Sequence, residues 1–246
     1  MNLTGMSDLL SFMKQYWPTL YLHSASVANF TCKICNLLGV DEIHQSKMME
    51  GAFLHDVGKM LVSREIIEKK LPLTDKEWDE LKKHTKYGVT LVSDRVGDES
   101  LLEIIRYHHE RWDGKGYEGL MGSIIPLSAR IVALADALDA MISPRPYRRP
   151  RKICEALKEV YKCAGSQFDP CLLKALKENC FWQITTYRNP AILEIQIEKE
   201  KQWLAQLTSS YLDLTYPLIY AQSRWIDNLL VLFLRLKKSK TEVRKK

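Results

Sequence analysis

An all-α fold is predicted by three observations. Apolar residues recur at helical spacing along nearly the whole chain, and alternating strand-like runs are hard to find. Glycines, prolines and one capping box fall where the helical stretches stop or start.

Val27, Phe30, Ile34 and Leu37 mark the first stripe, with Gly39 as its stop. A second helix carries Met48, Met49, Ala52 and Phe53 and ends near His55-Asp56-Val57-Gly58-Lys59. Thr74-Asp75-Lys76-Glu77 has the form of a capping box and opens a helix through Trp78 and Leu81 to His84. Tyr87 to Val96 forms another stretch, and Leu101, Leu102, Ile104, Ile105 and His108 continue the pattern. Residues 110–126 break it: Gly114, Gly116, Gly119 and Gly122 precede Pro126 in a loop too long for a simple connection, which marks it as functional. Helix resumes from Leu127 to Met141, and Pro144 and Pro146 stop it. Residues 151–164 and 170–180 fit two further helices. Beyond residue 181 Pro190 and Pro217 punctuate helical stretches, and Ile226, Leu229, Leu230, Phe233 and Leu236 make an amphipathic one. Residues 1–180 are therefore expected to form the body, and 181–246 a helical extension packing on the body or on a partner.

Composition bounds the function. The chain has 246 residues, is 46% hydrophobic and 27% charged, and has a mean hydropathy of −0.23, which suits one or two domains with a real core. Its +6 charge is concentrated at the end: Arg235, Lys237, Lys238, Lys240, Arg244, Lys245 and Lys246 face only Glu242, and the remainder is balanced. A nucleic-acid surface is not expected on a neutral body, and the basic tail reads as a solvated end. The N-terminus lacks the charge, apolar core and cleavage site of a secretory signal. The apolar run Leu229–Leu234 is far shorter than the roughly 20 residues that cross a bilayer. A cytoplasmic protein is expected, with Cys32, Cys35, Cys154, Cys163, Cys171 and Cys180 as reduced thiols. Cys32 and Cys35 are a lone C-x-x-C within a helical pattern and read as packing residues rather than zinc ligands.

Of the six histidines, those at 23, 55, 84, 108 and 109 fall near helix ends or inside apolar stripes. A buried imidazole needs a partner, and several converging with carboxylates are best satisfied by a shared metal. His55-Asp56 can point a nitrogen and a carboxylate toward one ion, and a carboxylate can bridge two. His108-His109 adds two nitrogen donors, and Asp136 lies in a run of small residues where a lone buried carboxylate would be costly without a cation. Singly, each reads as an ordinary core or surface residue; their pairing in two places does not.

His55-Asp56-Val57-Gly58-Lys59, then His84, then His108-His109-Glu110-Arg111-Trp112-Asp113-Gly114-Lys115-Gly116-Tyr117 resembles the HD-GYP family of cyclic dinucleotide phosphodiesterases, a branch of the HD superfamily of metal hydrolases. The likeness begins around Tyr21-Leu22-His23-Ser24. It runs through Ile125 to Ile131, Ala135 to Ala140, Arg145-Pro146-Tyr147-Arg148 and Gly165 to Pro170, ending about residue 180. The resemblance implies an HD-domain helical bundle with metal ligands at His23, His55, Asp56, His84, His108, His109 and Asp136, Asp56 bridging two ions. His44 has no place in the pattern and is expected on the surface. A nitrogen and oxygen donor set without thiolate suits iron or manganese, with zinc or nickel as further candidates, and the family favours the first two. The implied mechanism is attack by a hydroxide bridging the two metals, with in-line expulsion of the ribose 3′-oxygen. Asp56 and Lys59 take the catalytic roles, Lys59 stabilising developing charge, and Lys59, Arg145 and Arg148 hold the substrate phosphates.

Two positions depart from the family. Glu118 replaces the proline of Gly-Tyr-Pro, which is expected to loosen the loop and bring a carboxylate near an anionic substrate. Thr19 stands where members with a third metal carry glutamate, so a two-metal site is expected. The stretch before His23 is expected to hold no receiver, PAS or transmembrane sensor. The leading reading is a phosphodiesterase for cyclic di-GMP or a related cyclic dinucleotide, giving linear dinucleotide and GMP. Its partners would be a diguanylate cyclase, another signalling protein or a second copy of the chain. A catalytically weak nucleotide sensor or adaptor is the alternative; an HD hydrolase for another phosphoester is a third, against which the Arg145–Arg148 and Gly165–Pro170 matches speak.

Overall fold

A computed structural model describes residues 6–143, 151, 153–178 and scattered positions between 194 and 233. Ten helices are described: α1 (Met6–Tyr16), α2 (Pro18–Leu38), α3 (Glu42–Leu54), α4 (Arg64–Ile67), α5 (Asp75–Lys82), α6 (His84–Ser93), α7 (Glu99–Tyr107), α8 (Leu127–Ile142), α9 (Ile153–Lys162) and α10 (Pro170–Glu178). Short 3₁₀ turns cover Val57–Leu61 and Gly122–Ile124. Among the described residues there is no strand, only an isolated bridge between Ala164 and Phe168. None of the described helices is long and apolar enough to cross a membrane.

α2 is the spine. Pro18 opens it, where a missing N–H costs nothing. Gly39 closes it in the left-handed region at φ 69°, with its N–H donated to the Asn36 carbonyl and that of Val40 to the Cys35 carbonyl. α1, α3, α8 and α10 all pack on α2. Ala25, Ala28 and Ile34 of α2 meet Ala52 and Leu54 of α3 and Ile131, Leu134, Ala135 and Leu138 of α8 in one core. Small residues on α2 and α8 let the two helices approach closely, and these are the helices that carry His23 and Asp136.

The Thr74–Glu77 capping box is present: the Thr74 side chain accepts the Glu77 N–H, and the Glu77 carboxylate accepts the Thr74 N–H. The helix it opens stops at Lys82, two residues earlier than expected, and His84 begins α6. Only Lys83, itself helical at φ −65° and ψ −14°, stands between the two helices, so the apolar spacing of one runs into the next without a sequence marker. Cys32 and Cys35 are buried free thiols, Cys163 is a half-buried and Cys171 an exposed one, and Cys32 Sγ accepts from Gln45 Nε2 at 2.9 Å. Cys154 and Cys180 fall outside the residues whose side chains are described. The loop residues Arg145, Tyr147 and Arg148, the helix-stopping Pro144 and Pro146, and most of 181–246 also lie outside the described residues. Of the last region, Ile197 and Ile226 are buried with the core, and Glu200 pairs with Lys33 of α2 at 3.2 Å.

One contact sets the position of the 3₁₀ turn after α3. Gly58 lies against α6 so closely that a Cβ there would stand 1.9 Å from the His84 carbonyl oxygen and 2.4 Å from the Gly88 nitrogen. The obstacle is backbone, which cannot rotate aside. Gly58→Ala is therefore expected to destabilise the fold by about 3 kcal/mol, the upper end for an overpacked site, read as a lowered denaturation midpoint in urea.

Candidate metal centre

His55 and His108 sit immediately beyond helix ends and His84 opens α6 one residue after α5, and each uses one ring nitrogen to bind the helix it follows. His55 Nδ1 meets the Ala52 carbonyl of α3 at 2.7 Å, His84 Nδ1 the Leu81 carbonyl of α5 at 2.7 Å, and His108 Nδ1 the Ile105 carbonyl of α7 at 2.9 Å. A carbonyl only accepts, so Nδ1 carries the proton in each case and Nε2 is left with a bare lone pair. His23, on α2, is fixed in the same manner by a carboxylate: its Nδ1 lies 2.7 Å from Asp139 Oδ2, and Asp139 also accepts the Ser143 hydroxyl at 2.7 Å.

The Nε2 atoms converge on Asp56. After α3 the chain turns through Asp56 at φ −105°, ψ 5°, in the sparsely occupied bridge region, so that the carboxylate points back among the imidazoles. Asp56 Oδ1 lies 3.2 Å from His84 Nε2 and 3.7 Å from His108 Nε2. Its Oδ2 lies 3.4 Å from His55 Nε2 and 3.6 Å from His23 Nε2. His23 Nε2 is also 3.1 Å from Asp136 Oδ1, and Lys59 Nζ caps Oδ2 from the open side. Two ligand groups result, Asp56 with His84, His108 and His109, and Asp56 with His23 and His55.

Electrostatics show what the cluster lacks. Asp56 is 1% exposed, His55 and His84 are fully buried, and neither His55 Nε2 nor Asp56 Oδ1 has a hydrogen-bond partner. His84 and His108 face each other Nε2 to Nε2 at 3.5 Å. Burial holds the His108 pKa down at about 4 and, with the neighbouring His108 and His84, keeps His109 well below the usual imidazole value. For Asp56 burial pushes upward, but Lys59 and the surrounding imidazoles outweigh it and keep the group ionised well below the carboxylate range. At His23 burial pushes downward, while Asp136 and Asp139 prevail and raise the pKa to about 10. Lone pairs and carboxylates without enough protons are what a cation satisfies, and the donor set of nitrogen and oxygen without thiolate fits a divalent metal.

All seven predicted ligand positions are thus brought together, with Lys59 beside them. Arg145 and Arg148 lie outside the described residues. His44 is exposed and paired with Asp41, the N-cap of α3, at 2.6 Å. Sequence alone does not single out Asp139, whose only mark there is a position three residues after Asp136, on the same helical face. Tyr117 stands out in the sequence only as part of a motif, yet its ring lies over His109 with centroids 4.6 Å apart. A cavity of about 490 Å³ opens beside His108, His109 and Asp136, with Arg111, Lys115 and Gln167 also on its wall.

The bidentate use of Asp139, binding His23 and Ser143 at once, predicts its effect. Asp139→Asn is expected to weaken metal binding 10- to 100-fold (about the usual loss for a group that orients a ligand), measured by competition with a chromophoric chelator while helicity is retained.

Comparison with known proteins agrees with this geometry. An HD domain family model matches residues 7–172. The chain is 35% identical over 173 residues to a cyclic di-GMP phosphodiesterase of Thermotoga maritima, covering 68% of this chain and 47% of that one. It is 35% identical over 160 residues to a 3′3′-cGAMP-specific phosphodiesterase of Vibrio cholerae, covering 64% and 31% respectively. The chain therefore spans less than half the length of either relative. Among solved structures, an HDGYP protein of Bdellovibrio bacteriovorus shares the fold at 20% identity and a TM-score of 0.52, over 70% of this chain and 60% of that one. Most of the chain from the first helix to the start of α10 follows the family pattern, and the chain belongs to the HD domain family.

Proposed function

We propose that the protein is a metal-dependent phosphodiesterase that hydrolyses a cyclic dinucleotide, cyclic di-GMP foremost, to linear dinucleotide and on to GMP. The observation that carries this reading is the division of Asp56, one oxygen toward His84 and His108 and the other toward His55 and His23. Such a carboxylate suits two divalent ions side by side, which we assign as iron or manganese from the thiolate-free donor set. When bound, the ions supply Lewis acidity to a phosphate and lower the pKa of water toward about 7.

The chain's own residues set up the rest. Hydrolysis adds water across one P–O3′ bond, leaving a 5′-phosphate and a 3′-hydroxyl. Lys59 stands at the open edge of Asp56, where its ammonium can neutralise charge building on the phosphate or the departing 3′-oxygen. The cavity beside His108 and Asp136 has room for a nucleotide arm. Ala133, Ala137 and Ala140 of α8 line one wall, and Lys115 offers a positive charge to a phosphate there, while Arg111 is held by Asp113 at 2.8 Å. Arg145 and Arg148 are assigned the remaining phosphate contacts on the strength of the family motif. Thr19 is exposed at the first turn of α2, which supports two ions rather than three.

In this reading residues 1–180 are the catalytic unit, and 181–246 is an extension that docks on it through Ile197, Ile226 and the Lys33–Glu200 pair. A substrate made from nucleoside triphosphates places the reaction in the cytoplasm, with a diguanylate cyclase, another signalling protein or a second copy as partner.

Protein purified without oxygen and assayed for bound metal should convert cyclic di-GMP to linear product by chromatography. Asp56→Ala is expected to abolish metal binding and lower turnover by more than about 100-fold. Lys59→Ala is expected to lower kcat by about 100-fold with metal retained. Tight nucleotide binding without turnover in fully metallated protein would instead identify a sensor.

A further inference from the structure

Glu118 replaces the proline of the family motif, and the structure reverses what that change is expected to do. Its carboxylate does not face the metal-ligand cluster. It turns outward, with Oε2 3.2 Å from Arg106 of α7 and Oε1 3.5 Å from Lys86 of α6. Its backbone faces inward: the Glu118 N–H is donated to Glu110 Oε1 at 2.6 Å, and the Leu120 N–H to Glu110 Oε2 at 2.6 Å. Glu110 is 4% exposed and directly follows His109. Gly116 completes the grip, because a Cβ there would lie 2.6 Å from the Glu110 Cα and 2.8 Å from its carboxyl carbon.

Between the gripped residues stands Tyr117, whose ring covers His109 at 4.6 Å and faces His84 at 6.2 Å. His109 needs such a brace. His55, His84 and His108 are each oriented by a backbone carbonyl, whereas among the described residues His109 has no side-chain hydrogen bond of this kind. A proline at 118 would put its ring carbon where the N–H now points, removing one of the two bonds and pressing on the buried Glu110 carboxylate.

We infer that residue 118 is a positioning residue acting through its backbone: its N–H, clamped by Glu110, holds Tyr117 over His109 and so fixes the orientation of that imidazole. The departure from the family motif thus tightens the loop in this chain, and the outward ion pairs contribute little, as exposed pairs do. This rests on the metal-ligand role of His109.

Three variants separate backbone from side chain. Glu118→Ala and Glu118→Gln keep the N–H, and Glu118→Pro removes it. In the full-length protein, hydrogen exchange of peptides covering residues 114–122 and competition for Mn²⁺ with a chromophoric chelator are both read without turnover. Glu118→Pro is expected to speed loop exchange and weaken Mn²⁺ binding by about tenfold each. Glu118→Ala and Glu118→Gln should stay within about twofold of the native protein. Should Glu118→Pro fail to fold, Glu110→Gln, which exchanges one acceptor oxygen for an NH₂ group, should give the same paired change. The proposal is overturned if the alanine variant is as impaired as the proline variant, if the proline or Glu110→Gln variant matches the native protein, or if the native protein binds no Mn²⁺. A native protein that binds Mn²⁺ but hydrolyses no cyclic dinucleotide would sink the phosphodiesterase reading and leave the clamp standing.

Discussion

Burying an ionised carboxylate among imidazoles is expensive unless every lone pair finds a positive partner, and Asp56 imposes that requirement on the whole bundle. It is nearly inaccessible to water, with four imidazole nitrogens within 4 Å and one lysine at its edge. The surrounding helices deliver those nitrogens from four separate segments of the chain. α2 brings His23, the exit of α3 brings His55, the gap between α5 and α6 brings His84, and the end of α7 brings His108 and His109. Close approach is possible because the residues behind the ligands are small: Gly58 and Gly88 between the 3₁₀ turn and α6, and alanines along α2 and α8.

Helix ends serve two purposes here. The last carbonyls of a helix lack partners within it and carry the negative end of its dipole. His55, His84 and His108 each donate to one such carbonyl three residues back, and this fixes the tautomer that presents Nε2 to the cluster. His23 lies inside α2 and has no terminal carbonyl available, so Asp139 takes over that task from α8.

The glycine-rich segment after α7 is held from both sides. Glu110 gathers the backbone of Glu118 and Leu120 inward, while Trp112 and Asp113 bond to the carbonyls of Gln167 and Ser166 at 3.2 and 2.8 Å. The Gly165–Pro170 segment is fixed in turn: Asp169 pairs with Arg130 of α8, and its other oxygen accepts the Cys171 and Leu172 N–H groups that open α10. This motif contributes to the site by anchoring the loop that carries Tyr117, and Gln167 reaches the cavity wall.

Helix spacing, caps and the histidine-aspartate pairs were legible from sequence because they follow from local rules: apolar periodicity, a capping box, and residue types that cannot be buried alone. The residues of the histidine and aspartate cluster were legible through their motif series. Three things were decided only by tertiary structure. The break before His84 depends on where α6 must run to meet Gly58, and periodicity carries no signal of it. Asp139 gains its role from facing His23 across two packed helices, 116 positions apart in the chain. Glu118 reads in sequence as a misplaced charge, yet its side chain points away and its backbone N–H does the binding. A sequence names side chains and their local spacing, whereas the partner that a buried donor or acceptor finds is set by which helices meet.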